Sequence, residues 1–204
     1  MFVDVADQLN LRQGDILRDT VFPVLSHSEV KFFVEAKSSE HSLTFRVSEK
    51  HERKAPLYFA HIPVRIGFAA VISQCCDLEP HNGHIQQPTF ALARLVPIPE
   101  GIAKDESQLR HLRANSDPRL PDSGFLNMFH IPQRGALEDK EWIIDFSSVF
   151  CVPSREYPGI MSQKILQMDD DNRIRFKIRL MASFGRFTKE EQASGHPWLP
   201  AESK

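Results

Sequence analysis

Cysteine, glycine and the larger aromatic residues are scarce in this 204-residue chain, with three Cys, nine Gly, two Trp and two Tyr. Three cysteines exclude a disulfide scaffold. A chain of this length buries roughly 70% of its unfolded surface and needs no covalent staple to fold. No apolar run approaches the roughly 20 residues that cross a bilayer. The first residues carry Asp4 and Asp7 and lack a basic stretch ahead of an apolar one, which predicts no signal peptide. A dominant charge is also missing. Twenty-five basic residues against 27 acidic ones leave a net charge of -2 and a pI near 6.5. Dedicated nucleic-acid binders usually exceed a pI of about 9, so bulk charge lends no support to that class. Apolar residues at 41% exclude disorder of the whole chain. These absences predict one soluble, cytoplasmic domain with no membrane partner.

Phenylalanine and proline are plentiful, at 15 and 14 residues. Phe suits strands and cores, and Pro in excess of Gly marks short elements joined by stiff turns. Both favour a β-dominated α+β domain. Strand patterns recur at Ile16-Leu17, 21–25, 30–35, 43–47, 66–72, 90–96, 125–131, 142–146 and 149–152. The run 66–72 reads as a strand buried on both faces. Leu109 and Leu112 sit three apart in a short helix candidate over 103–115, which also carries Arg110 and Arg113. Residues 116–124, with Pro118 and Pro121, read as a loop. From 169 to 192 the pattern is helical. Asp169, Asp170 and Asp171 suit a cap and first turn, and Ile174, Ile178, Met181 and Phe184 recur at helical spacing. Alternation of Ile174, Phe176, Ile178 and Leu180 also satisfies a strand, and the length favours helix. Residues 194–204 read as a loose tail.

Chemistry-bearing residues gather in Ser73-Gln74-Cys75-Cys76-Asp77-Leu78, just after the most apolar strand. Three uses compete. Cys76, Asp77, His81 and His84 are all possible zinc ligands, although adjacent cysteines suit one tetrahedral ion poorly, and no metal is favoured. Cys76 beside Asp77 is a candidate thiol nucleophile, but a neighbouring carboxylate raises a thiol pKa and a base would have to come from His81 or His84. Alternatively the thiols are small buried apolar groups and Asp77 closes the turn. No cofactor is implied. The remaining histidines, His130 among them, are scattered and read as surface or hydrogen-bonded residues. A second feature is basic. Arg173, Arg175, Lys177, Arg179 and Arg186 fall within the C-terminal helix candidate, where a cation cluster can hold phosphates or simply form a solvated face.

Gly14-Asp15-Ile16-Leu17, followed by Arg65 and the apolar run Ala69-Ala70-Val71-Ile72-Ser73, resembles toxins of the PemK/MazF type. That resemblance implies an SH3-like β-barrel over residues 1–193, with an insertion at about 25–60 and a C-terminal helix at about 169–192. It also implies metal-independent endoribonuclease activity in a toxin–antitoxin or phage-defence setting. Arg65 would stabilise phosphorane charge and Ser73 would assist, with Asp15, Cys76 and Asp77 as further catalytic candidates. Ile66 stands where the family has Pro, and about 50 residues separate Asp15 from Arg65. The chain is also similar to a set of bacterial proteins sharing a Ser-Gln/His-x-Cys-Asp-Leu/Ile motif and a helix ending in Phe-x-Arg, here Phe184-Gly185-Arg186; this second likeness implies no activity. Two functions from different classes follow. One is an RNA-cleaving protein acting on RNA or single-stranded nucleic acid. The other is a non-catalytic adaptor that binds a protein or nucleic acid within a defence or regulatory complex.

Overall fold

The computed structural model describes residues 2–3, 10–23, 31–39, 42–48, 58–61, 63–81, 85–114 and 125–185. The expected loop at 116–124, the tail at 194–204, and the sites Arg186 and His84 lie outside these residues. The chain divides into two compact units, one formed by Met1–Thr20 with Phe68–Lys204 and the other by Val21–Gly67. The expected insertion at 25–60 falls inside the second unit.

The strands are β1 (Phe2–Val3), β2 (Ile16–Pro23), β3 (Lys31–Ser39), β4 (Ser42–Ser48), β5 (Tyr58–His61), β6 (Val64–Val71), β7 (Thr89–Pro97), β8 (Met128–Arg134), β9 (Lys140–Pro153) and β10 (Lys164–Met168). Among the described residues five α-helices punctuate them: α1 (Cys75–Leu78), α2 (Glu100–Ala103), α3 (Glu106–Ala114), α4 (Tyr157–Met161) and α5 (Asp170–Phe184). The larger sheet runs β1-β10-β2-β6-β7-β9-β8. Six of its strands form a curled antiparallel half-barrel, with the short β1 added at one edge, so the protein is a β-dominated α+β fold. In the second unit β3 is flanked by β4 and β5, and β3 and β4 pair as a hairpin as far as Ser39 and Ser42.

Several sequence expectations change in detail. The apolar run 66–72 is buried only in its second half, where Ala69, Ala70 and Val71 are fully enclosed while Ile66 is exposed. Over 103–114, the described part of the helix expected at 103–115, there is not one helix but the end of α2 and all of α3, interrupted at Lys104 and Asp105; only Leu112 of the expected pair is buried. The two strands expected at 142–146 and 149–152 are one strand, β9. A bulge joins them, because Ala93 pairs with Val149 while its neighbour Arg94 pairs with Asp145. The Asp145 carboxylate holds this bulge by accepting the Ser147 N–H and the hydroxyls of Ser147 and Ser148. An inserted bulge bends a strand and re-aims side chains. Here it leaves Phe146 pointing into the core.

For α5 the helix reading is the one realised. Asp169 caps it, accepting the Asn172 N–H at 2.8 Å. Burial is the largest single influence on Asp169 and opposes its charge, but the opposing hydrogen bonds and charge, with the Asn172 backbone N–H first among them, together outweigh it and hold the carboxyl at about 2. Gly185 closes the helix by donating its N–H to the Met181 carbonyl. Phe176 anchors the inner face, with its ring edge-on to Phe129 at 5.2 Å and close to Phe146 at 5.5 Å.

Candidate functional site

Arg12, Gln13, Gly14 and Asp15 form a tight turn closed by the Asp15 N–H donating to the Arg12 carbonyl at 3.0 Å. Gly14 has φ of +90°, a left-handed conformation in which a side chain is strained. Glycine is needed for a second reason: a Cβ here would lie 2.6 Å from the Met168 sulfur. The turn is laced to the end of β6. Gly14 N–H donates to the Val71 carbonyl, Val71 N–H donates to the Asp15 carbonyl, and the buried Gln13 amide donates to the Ile72 carbonyl at 2.6 Å. Gln13 N–H also points at the Cys75 sulfur, 3.4 Å away. The two sequence motifs, Gly14-Asp15 and Ser73-Gln74-Cys75, are therefore neighbours in space.

Their catalytic candidates do not share one opening. The Asp15 carboxylate is fully enclosed, and its Oδ2 takes the Arg12 N–H and the Lys164 ammonium, each at 2.7 Å. Lys164 also donates to the Asn10 carbonyl and the Gln167 side chain, both at 3.1 Å. Burial pushes the Asp15 carboxyl above its ordinary range, although Lys164 and the Arg12 N–H pull the other way. Ser73 spends its hydroxyl oxygen on the Ala91 N–H at 2.8 Å, tying the end of β6 to β7. Cys76 is exposed and its thiol points at the Gln74 side chain, 3.6 Å away. Asp77 donates its N–H to the Gln74 carbonyl as α1 begins, and His81 is exposed. Arg65 is exposed on β6 in the second unit. Among the described residues no three His, Cys, Asp or Glu side chains are grouped so as to hold a metal ion.

The expected basic cluster on α5 is dispersed by the direction in which the helix packs. Arg179 is buried, and desolvation pulls its guanidinium below its ordinary pKa. Arg173 turns back to the Met168 carbonyl at 3.1 Å and to Asp170 at 3.0 Å. Lys177 is exposed and Arg175 is partly exposed. The apolar stripe read from the sequence lies on the opposite side from the core, because Phe176, Arg179 and Leu180 are the buried residues of α5. Ile174, Ile178, Met181 and Phe184 keep 57, 47, 73 and 61% of their surface exposed. A groove of about 440 Å³ runs beside this stripe. Lys177, Leu180, Met181 and Phe184 line it from α5, and Gln13, Ile72, Gln74 and Ala91 from the sheet side. Two polar features escaped the sequence reading. Lys164, the partner of Asp15, carries no local signal. The triad Arg113–Glu141–His130, in which Arg113 grips Glu141 with two bonds and His130 adds a third at 3.1 Å, joins residues from α3, β9 and β8. Among the described residues no helix is long and apolar enough to cross a membrane.

Neither a family model nor a curated protein matches the chain.

Proposed function

We propose that the protein is a non-catalytic binding module that engages its partner through the outer face of α5 and the groove beside it. One observation carries this reading: Ile174, Ile178, Met181 and Phe184 are exposed together on one helix. Single exposed apolar residues are ordinary, whereas a contiguous group bordering a groove marks an interaction site.

The endoribonuclease function implied by the PemK/MazF resemblance asks for a cation and a proton carrier at one phosphate. Asp15 is committed to Lys164, and the Ser73 oxygen to a backbone N–H. That chemistry would fall to Arg65, Cys76 and Asp77. An SH3-like barrel remains our proposal for the finer fold, supported by the Gly14-Asp15 turn laced to the end of the apolar strand, and a barrel can be reused for binding without its chemistry.

The test places a photo-reactive amino acid at position 181, or at the exposed position 110, in the full chain, and irradiates it in a cell extract. Adducts that form at 181, are absent at 110 and disappear with Ile178→Asp are the expected result. Absence of adducts at 181 overturns the reading. So does EDTA-resistant cleavage of single-stranded RNA that Arg65→Ala abolishes.

A further inference from the structure

We propose that the occupant of the α5 face is an amphipathic protein helix whose apolar side is flanked by acidic residues; this rests on the binding-module reading above. The stripe from Ile174 to Phe184 rises about 15 Å at 1.5 Å per residue. That is three turns, the length over which a partner helix sets two or three anchors into a groove. Met181 and Phe184 border the groove and supply its apolar wall.

Charge selects the partner's sign. Lys177 lies on the groove side of the stripe, in line with Met181 and Phe184, and Arg175 lies beyond Ile178 on the other side. Among the described residues neither has a carboxylate partner, whereas Arg113, Lys140, Lys164 and Arg173 are all paired. The groove lining contains Lys177 and no carboxylate. Cations flanking an apolar patch steer and register an acidic partner and disfavour a basic one. Asp170 and Asp171 occupy the first turn, so the partner's acidic residues belong beside the middle of α5, at Arg175 and Lys177. A nucleic-acid strand fits this face less well. Phosphates call for a row of cations, and the large exposed side chains between the two cations here, Ile174, Ile178 and Met181, are apolar.

A displayed library of 16-residue amphipathic helices tests this. The apolar positions are held as Leu or Ile, and the flanking positions are randomised among Asp, Glu, Ser, Lys and Arg. The library is selected on the full chain and counter-selected on the Ile178→Asp/Met181→Asp variant, whose thermal melt is first matched to the parent. The expected winners carry Asp or Glu on their flanks and bind the variant at least tenfold more weakly. Selection on Arg175→Glu/Lys177→Glu should shift the winners to Lys and Arg. Winners with neutral or basic flanks, or no enrichment over the variant, overturn the inference; if the adduct at 181 persists, the binding-module reading survives and only the partner class falls. Competition by single-stranded RNA for that adduct overturns the inference in favour of nucleic acid. Self-association in sedimentation that Met181→Asp abolishes overturns it in favour of a second copy of the chain.

Discussion

The Lys164 ammonium lies 2.7 Å from Asp15 Oδ2, with both side chains sealed from solvent. Among the described residues the second oxygen of that carboxylate, Oδ1, accepts no hydrogen bond. A buried pair of this kind is costly to break from one side, because the survivor keeps an uncompensated charge. Asp15→Ala, which strands the ammonium, should cost about 3–5 kcal/mol in urea unfolding. Lys164→Met should be milder, since the Asp15 carboxyl is already raised and can take up a proton. The sign of the pH effect follows from that direction. With its folded pKa above the ordinary 3.8, Asp15 contributes most in its protonated form. Its contribution is therefore fully present below that value and declines as pH rises through the folded pKa. The stability of the parent relative to Asp15→Asn should fall as pH rises above about 4, and an unchanged difference would contradict the assignment.

The triad that docks α3 should behave oppositely. Arg113 holds the Glu141 carboxyl below its usual 4.5, with His130 contributing, and burial holds the His130 imidazole below 6.5 although Glu141 opposes it. A depressed carboxyl and a depressed imidazole both contribute stability that is present at neutral pH. That of His130 is lost as pH falls below 6.5 and that of Glu141 below 4.5. Thermal melts between pH 7 and pH 5 should show this acid-side loss in the parent, and it should be larger in Glu141→Gln, because removing the carboxylate that opposes burial deepens the depression of the His130 imidazole. Arg113 is half exposed, so Arg113→Ala should cost only about 0.5–1 kcal/mol.

Gly14→Ala should destabilise by about 1–3 kcal/mol, the cost of a strained left-handed residue. Met168→Ala in the same chain removes the overlap with the new methyl group but leaves φ at +90°. Because Met168 is itself a buried core residue, the double variant is compared with Met168→Ala alone, and calorimetry should find that Gly14→Ala still destabilises in that background, though by less than in the parent. No cost of Gly14→Ala in the Met168→Ala background would mean that overlap, not backbone conformation, dictates glycine at this position.

The two faces of α5 should respond unequally. Phe176→Ala removes a ring packed against Phe129 and Phe146 and should cost about 3–5 kcal/mol. Met181→Asp, on the exposed face, should stay within about 0.5 kcal/mol of the parent. Urea midpoints for the two variants check both values. A large loss from Met181→Asp would place that residue in the core and remove the basis for a docking face.

Local pattern was enough to read some of this protein. Alternation and apolar runs located β2, β4, β6 and β7, and the cap at Asp169 with helical spacing located α5. These follow from rules acting over a few residues: strand period, helix period and capping chemistry. What the sequence left open depended on residues distant in the chain. Helix α5 carries two apolar faces, and only the position of Phe129 and of the bulge-directed Phe146 decides that Phe176 turns inward while Ile174, Ile178 and Met181 stay outside. The same choice buries Arg179, pairs Arg173, and breaks up the cation cluster that the linear spacing suggested. Asp15 sits in a motif that reads as catalytic, yet β10 brings Lys164 against it and makes it part of the interior. Periodicity determines which elements form. Which of their faces is buried is set by packing between elements, and for α5 and Asp15 that packing chose the site.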